Sequence, residues 1–236
     1  MDITDLYRTC IQKNFNDDQS EIFAILKANP KKSLKLISYY KGLPLAYTAT
    51  MASLDRGIAD LDVRAEQAYV IEKSRSVFIR SPLFKHDVFA HAQYASARKK
   101  AVTVGKFCYV EIMAERRNFI RVAPEAPAGS VIESPLGSIE GDLYDISLSG
   151  LNIAVDHSCR LEIGAEMPVR FVLGNQDGSS DLRANVQARL IGVSGDRLPR
   201  NYRFSMDPDK LFERQLSKYI IDRQIEIIRE IKEAAT

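Results

Sequence analysis

The pattern of apolar residues changes from a helical to a strand-like period near residue 34. Ahead of this point, apolar positions at helical spacing predict a first amphipathic helix, and these are Ile3, Leu6, Tyr7, Cys10 and Ile11. A second helix is predicted from a capping-box pair, Asp18 and Glu21, to the helix-breaking dipeptide Asn29-Pro30. We interpret both helices as elements that pack on the N-terminal domain, and a partner-binding role is the alternative for the first.

Between residues 34 and 112 the chain alternates apolar and polar positions between turn signals. Lys41-Gly42 is a hairpin signal, and Gly105 marks a bulge or turn in the last segment. We predict six strands, at Leu34–Tyr40, Leu43–Ala52, Ile58–Val63, Val77–Ile79, Val88–Tyr94 and Val102–Ile112. Short strands joined by turns in this number are typical of a small antiparallel barrel.

The strand pattern returns after a segment rich in Pro, Ala, Gly and Ser. This segment, Ala123–Gly137, is predicted mostly as loop. Five further strands are predicted, at Ser138–Ser147, Leu151–Val155, Met167–Leu173, Leu182–Val193 and Tyr202–Met206. The residues Gly174–Gly178 are predicted to close a hairpin between the third and fourth of these strands. The second half of the chain is therefore also predicted to consist mainly of strands.

A C-terminal helix is predicted after Pro208. Its main apolar stripe comprises Phe212, Leu216, Ile220, Ile227 and Ile231, and three more residues widen it, Ile221, Ile225 and Ile228. We interpret it as a helix that lies on the barrel, while the width of the stripe leaves formation of a homodimer open. The predicted fold class is mainly β, with two small antiparallel β-barrels in tandem, short N-terminal helices and a C-terminal helix.

Composition narrows the classes of function. The 236-residue chain has a net charge of +2, which argues against a general binder of nucleic-acid polymers. The three cysteines, Cys10, Cys108 and Cys159, lie far apart and form neither a metal-binding nor a disulfide pattern. The acidic N-terminus has no signal-peptide core, and no apolar run is long enough for a membrane span. We expect a cytoplasmic protein without membrane insertion.

Two short motifs carry the candidate chemistry. The first places three arginines on the segment that joins the predicted barrels, and the second is an Asp-x-Ser-x-x-Gly sequence that reads as a strand entering a tight turn. Alternation along a strand puts its Asp and Ser on one face, and its Gly is predicted to allow a positive φ. The candidate ligand-binding residues are Arg116, Arg117, Arg121, Asp145, Ser147 and Gly150.

These residue types suit a ligand that carries both phosphate and guanine. Arginine grips phosphate with two donors or reads the O6/N7 edge of guanine. Aspartate accepts from the N–H groups on the opposite edge of guanine, and a serine hydroxyl both donates and accepts.

The order of the two motifs, RxxxR at Arg117–Arg121 and DxSxxG at Asp145–Gly150, resembles the PilZ domain. The resemblance implies a bacterial receptor whose ligand is cyclic di-GMP and which needs no other cofactor. The preceding barrel resembles, by architecture and placement, that of flagellar-brake-type proteins. The expected domains are residues 1–112, helices and a split barrel, and residues 113–236, a PilZ barrel with a C-terminal helix. Ser149, often glycine in the family, and the absence of a glycine before Phe204 are departures from the family pattern.

A ligand held by linker arginines and by the Asp/Ser pair would fix the path of the linker and so set the angle between the domains. The resemblance implies a downstream protein effector, with the flagellar motor as one candidate, and a motility or biofilm switch. An alternative is a PilZ-fold interaction adaptor that does not bind nucleotide. A third hypothesis, binding of RNA or single-stranded DNA, is disfavoured by the balanced charge.

No enzyme is predicted. The sequence has neither a phosphate-binding GxxxxGK[ST] nor a dinucleotide-binding GxGxxG motif. His86 and His91 would face opposite sides of one strand, which makes a poor metal pair. A hydrolase triad of Asp145, Ser147 and His157 lacks the GxSxG elbow and an evident oxyanion hole. If no ligand binds, the arginines are a solvated basic linker and Asp145 caps a turn.

Overall fold

The computed structural model describes residues 6–10, 14–174 and 181–236. It divides into an N-terminal unit, formed by residues 2–118 and 227–236, and a C-terminal unit formed by residues 119–226. Both units are built mainly from antiparallel strands. The predicted fold class, mainly β with two small antiparallel barrels in tandem and a C-terminal helix, is confirmed. In the described residues each barrel has six strands, and there are three α-helices.

Six strands of the N-terminal unit close into a ring in the order β7-β4-β3-β2-β5-β6, with β6 pairing back to β7, and β1 adds to the outside of β7. Two helices accompany them. The elements are β1 Tyr7–Thr9, α1 Phe15–Ala28, β2 Leu34–Tyr40, β3 Leu43–Asp55, β4 Ile58–Asp62, α2 Ala65–Ser74, β5 Ser76–Arg80, β6 Asp87–Ser96 and β7 Ala101–Ile112. A 3₁₀ turn at Met113–Arg116 follows.

The predicted turns of this barrel are found at their predicted positions. Lys41 and Gly42 join β2 to β3 with φ values of 49° and 90°, the left-handed pair of a two-residue hairpin. Next to Gly105, Lys106 has φ of 55°, and the pairing of β6 with β7 shifts register between Phe89 and His91. The bulge predicted from Gly105 is therefore present, with its left-handed residue one position later.

The start of the chain differs from the prediction. Tyr7–Thr9 form a strand whose Tyr7 pairs with Ile112, so the predicted first helix is wrong over these residues. Of its apolar positions, Ile3 and Ile11 lie outside the described residues. Tyr7 stacks on Phe89 at a centroid distance of 4.7 Å. In so short a segment, this tertiary contact outweighs the tendency to form a helix.

The second predicted helix is present but begins earlier. Asn14, not Asp18, caps α1, because the Asn14 side chain accepts a hydrogen bond from the Asp17 backbone N–H at 2.9 Å. Asp18 is buried instead and accepts from the backbone N–H of Tyr109 at 3.3 Å. Helix α2 was not predicted, since its buried positions include Gln67, whose polarity interrupts the apolar pattern.

The six strands of the C-terminal unit form a closed barrel in the order β10-β13-β12-β11-β8-β9. They are β8 Ala128–Ser134, β9 Gly137–Ser147, β10 Gly150–Val155, β11 Glu166–Leu173, β12 Leu182–Ser194 and β13 Arg200–Met206. Strand β8 corrects the expectation that Ala123–Gly137 is mostly loop. Its inward positions include the small residues Ala128 and Ser130, so its alternation carries little hydrophobic signal.

The remaining expectations for this barrel concern its closure and one hairpin. Strands β11 and β12 pair from Glu166 to Leu173, which confirms the predicted hairpin strands, while residues 175–178 of its loop lie outside the described residues. Phe204 is buried in the core, and β13 pairs with both β10 and β12. The barrel thus closes although no glycine precedes Phe204 in the strand.

Helix α3, Lys210–Ala234, follows Pro208 as predicted and is capped by Asp209, whose Oδ1 accepts from the N–H groups of Leu211 and Phe212. Its apolar stripe divides along its length. Leu216, Tyr219 and Ile220 belong to the core of the C-terminal unit. In the N-terminal unit, a smaller cluster combines strand, α2 and α3 residues, namely Leu43, Leu45, Val70, Ile227 and Ile231. No helix in the described ranges is long and apolar enough to cross a membrane.

Candidate ligand-binding site

The Asp-x-Ser-x-x-Gly motif begins at a bulge in β9. Asn152 of β10 pairs with Asp145, whereas the next residue, Ile153, pairs with Leu143, so Tyr144 is an extra residue in β9. The bulge reverses the alternation of inward and outward side chains. Leu143 and Ile146 therefore lie in the barrel core, and Asp145 and Ser147 share the outer face.

Both polar residues of the motif are almost fully covered, each 3% exposed. The carboxylate of Asp145 is contacted on both oxygens: Arg121 Nη1 lies 3.5 Å from Oδ1, and Asn152 Nδ2 donates to Oδ2 at 3.3 Å. The Ser147 hydroxyl donates to the carbonyl of Gly150 at 3.2 Å. The carboxylate is thus held in a fixed orientation by a guanidinium and an amide.

Arg121 reaches Asp145 because the segment after the first motif is joined to β9. Val122 and Ile146 form an isolated antiparallel bridge, with N–H to C=O distances of 2.9 and 3.0 Å in the two directions. Val122 and Ile146 are both fully buried in the barrel core. The residue before Val122 therefore lies on the outer face beside Asp145, which unites the second arginine of RxxxR with DxSxxG.

Gly150 is required for a different reason from the one predicted. Its φ is outside the left-handed region, so the expected positive φ is wrong. Instead, a Cβ built on Gly150 would lie 2.6 Å from the carbonyl oxygen of Phe204 on β13. Glycine allows β10 and β13 to approach each other at the start of their pairing.

Replacing Gly150 with alanine is expected to lower the free energy of unfolding by about 1–3 kcal/mol, because the backbone of β13 has to shift to admit the methyl group. Gly129→Ala is the matched control, since a Cβ on Gly129 of β8 meets no atom within 4 Å. Urea unfolding of the two variants measures the difference. Equal midpoints for the two would contradict the close-contact explanation.

The other two arginines of the first motif belong to the N-terminal unit. Arg116 ends the 3₁₀ turn and forms an ion pair with Glu111. Arg117 follows Arg116 in the chain, and its charge acts on Tyr39 of β2. Burial and the Glu115 carboxylate raise the pKa of Tyr39 to about 12, whereas the charges of Arg117 and Arg80 oppose this shift. Of the predicted site residues, the C-terminal unit therefore brings together Arg121, Asp145, Ser147 and Gly150.

The 3₁₀ turn that carries the first arginines is tied to the N-terminal barrel by Arg80 of β5. Arg80 Nη2 lies 2.5 Å from Asp87 Oδ2 and 2.7 Å from Glu115 Oε2. Hydrogen bonds to these two carboxylates raise the pKa of the Arg80 guanidinium, so it stays charged at any physiological pH. Glu115 immediately precedes Arg116 and Arg117, so the network determines where the RxxxR segment leaves the barrel.

These groups do not form the hydrolase triad considered in the sequence analysis. Ser147 donates to a backbone carbonyl, and His157 Nδ1 lies 3.0 Å from Asp156 Oδ1, so the conceivable Asp145–Ser147–His157 triad is not assembled. Among the described residues, no group of three or more His, Cys, Asp or Glu side chains could hold a metal ion. Asn152 was missed by sequence analysis, and its signal is positional, since the pairing of β9 with β10 places it opposite Asp145.

The structure defines a protein of two antiparallel barrels, the second of which presents a covered Asp/Ser pair beside an arginine on its outer face. Residues 115–222 match the PilZ domain family, so this part of the chain is a PilZ domain. The match spans both motifs and the six strands of the second barrel. The PilZ domain predicted from the sequence is confirmed over these residues.

Several solved structures are similar to the chain. YcgR from Escherichia coli in complex with c-di-GMP is 16% identical, with coverage of 95% of this chain and 96% of that chain and a TM-score of 0.45. The Bacillus subtilis inhibitor of motility MotI/DgrA is 12% identical, covering 84% and 98% with a TM-score of 0.43. The MrkH–c-di-GMP complex of K. pneumonia is 11% identical, covering 94% and 100% with a TM-score of 0.44. No curated protein sequence matches the chain.

Proposed function

We propose that this protein is a non-enzymatic cyclic di-GMP receptor whose ligand is held by the six residues of the two motifs. The observation that carries the proposal is the joining of Arg121 to Asp145 on the outer face of a PilZ barrel, with Ser147 on the same face. A nearly covered carboxylate and the partly exposed guanidinium beside it provide both an acceptor for guanine N–H groups and a donor for phosphate.

The six residues divide into three roles in this proposal. Asp145 and Ser147 bind the guanine. Phosphates and guanine edges are bound by Arg116, Arg117 and Arg121. Gly150 allows the start of β10 to approach β13 closely. Hydrogen bonds to charged groups contribute roughly 1.5–3 kcal/mol each. Three such bonds approach the ~8 kcal/mol of a micromolar complex.

Arg121 has to change partners when the ligand binds. In the structure it contacts Asp145, so the two groups satisfy part of each other's hydrogen-bonding and charge requirement. A ligand that brings phosphate to Arg121 and an N–H group to Asp145 replaces this contact with two charge-assisted bonds. The site therefore exchanges an internal pair for the ligand without leaving a buried charge unpaired.

The position of RxxxR supports regulation through the linker. Arg117 is among the last residues of the N-terminal unit, and Arg121 is among the first of the C-terminal unit. A ligand bound to both arginines would fix the backbone between them and so change the geometry between the domains. The proposed domain bounds remain residues 1–112 and 113–236, with residues 113–122 as the junction that carries both arginines. The compact units of the structure divide later, after residue 118, and residues 227–236 belong to the first unit.

The function requires a protein partner that responds to this change. We propose a cytoplasmic switch of motility or biofilm formation, in which the effector is a protein and the flagellar motor is one candidate. The alternative, a PilZ-fold adaptor that does not bind nucleotide, makes the opposite prediction for ligand binding.

Calorimetric titration of the purified protein with cyclic di-GMP, beside cyclic di-AMP and GTP, tests the proposal. Saturable binding of the guanine dinucleotide alone is expected, and small-angle scattering with and without ligand then measures the geometry between the domains. If neither heat nor a thermal shift is seen at high ligand concentration, the receptor function fails and the adaptor alternative replaces it.

A further inference from the structure

A row of four residues crosses the outer face of the C-terminal barrel and begins at Asp145. Asp145 pairs with Asn152 on β10, Asn152 with Arg203 on β13, and Arg203 with Gly192 on β12. The residues on either side of Asn152 and of Arg203 lie in the barrel core, so these two side chains point to the outer face. Since neighbouring strands lie about 4.8 Å apart, the row extends the ligand site sideways across the sheet.

Two buried polar atoms in this row, Asn152 Oδ1 and Arg203 Nε, have no hydrogen-bond partner among the described residues. Asn152 is 2% exposed, and its amide nitrogen is already used by Asp145. Buried polar groups in folded proteins are nearly always paired. Two unpaired atoms on adjacent strands, one an acceptor and one a donor, indicate a partner that the chain itself does not supply.

The guanidinium of Arg203 lies over Gly192, where a Cβ would come within 2.9 Å of Nη2. Because glycine has no side chain, the guanidinium of Arg203 can pack directly against the backbone at this position. Within the described ranges, Arg203 forms no ion pair. Two other arginines of the same barrel differ in this respect, since Arg170 pairs with Glu133 and Arg189 with Glu166.

We infer that Asn152 and Arg203 are ligand-binding residues of this site, an inference that rests on the proposed function. Asn152 Oδ1 accepts from a guanine N–H group beside Asp145, and Arg203 donates to an oxygen of the same ligand. Asp145 and Asn152 then present two neighbouring acceptors. They match the adjacent imino and amino donors of guanine, whereas the corresponding edge of adenine has one donor and one acceptor. Asn152 therefore determines specificity for guanine.

The test compares cyclic di-GMP with cyclic di-IMP, which lacks the 2-amino group, in calorimetric titrations of the full chain. The native protein is expected to prefer cyclic di-GMP by about tenfold, and Asn152→Leu to lose that preference. Arg203→Met is expected to weaken binding of both ligands by about tenfold or more. Arg170→Met is the matched control and is expected to bind as the native protein does.

Thermal unfolding separates ligand binding from a structural role. Ligand-free Arg203→Met is expected to unfold at or above the native temperature, because the substitution removes an unpaired buried donor. Asn152→Leu also loses its bond to Asp145, so its result is read from the ratio of the two ligand affinities.

Two failures are distinguishable. If the native protein binds cyclic di-GMP and both variants retain its affinity and its preference over cyclic di-IMP, this inference is overturned while the proposed function stands. If Arg203→Met unfolds at a lower temperature than the native protein but binds cyclic di-GMP with unchanged affinity, Arg203 has a structural role and the inference is overturned for this residue. If the native protein does not bind cyclic di-GMP, the proposed function fails and this inference fails with it.

Discussion

Arg121→Ala is expected to weaken the binding of cyclic di-GMP by about 2–5 kcal/mol, the usual effect of removing one partner of a buried charge pair. The arginine is 22% exposed and the Asp145 side chain 4%, so solvent screens their interaction weakly. The substitution removes a donor to the ligand and leaves the Asp145 carboxylate with one fewer partner. Calorimetric titration measures the loss, which corresponds to at least about thirtyfold in the dissociation constant.

Arg170→Ala controls for the loss of one positive charge on the same barrel. Arg170 lies on β11, is 55% exposed, and pairs with Glu133 away from the two motifs. Its effect on affinity is expected to stay below about 0.5 kcal/mol. The double variant Arg121→Ala/Asp145→Ala should lose less than the sum of the single losses, because both residues act on one ligand and on each other. Additive losses would contradict a shared site.

Ile227→Ala is expected to reduce the free energy of unfolding by about 2–5 kcal/mol. Ile227 is fully buried in the cluster with Leu43, Leu45, Val70 and Ile231, so the substitution leaves a cavity lined by apolar side chains. Ile231→Ala, at 2% exposure, is expected to behave in the same way. Chemical unfolding followed by circular dichroism measures both effects.

The same helix supplies the control. Ile225 is 51% exposed and two residues away from Ile227, so Ile225→Ala changes helix propensity and size in the same manner without opening a cavity. Its effect is expected to lie within about 0.5 kcal/mol of the native value. A loss as large as that of Ile227→Ala would show that this face of α3 is covered in solution, which would favour self-association of the chain.

Much of the fold was predictable because alternation and turn chemistry agree along most strands. The six strands of the N-terminal barrel were located in this way, as was the Lys41-Gly42 hairpin. Strand β8 was missed because small residues such as Ser130 occupy inward positions. Tyr7–Thr9 were misassigned because tertiary pairing with β7 outweighs helical periodicity in a short segment.

The candidate site was predictable as a set of residue types, and its geometry depended on contacts that a sequence does not display. The shared face of Asp145 and Ser147 followed from alternation, whereas the bulge at Tyr144 that turns this face outward did not. The role of Gly150 depends on Phe204, more than fifty residues later in the chain. Asn152 carries no motif of its own and becomes noticeable only as the cross-strand neighbour of Asp145.

The assignment of residues 227–236 to the N-terminal unit has a consequence for synthesis. The PilZ barrel is inserted in sequence between the two segments of the other unit, so a growing chain completes it before Ile227 and Ile231 exist. Until then, Leu43, Leu45 and Val70 lack two of their apolar neighbours. We therefore expect this apolar cluster of the N-terminal unit to be completed last, only after the end of α3 has emerged.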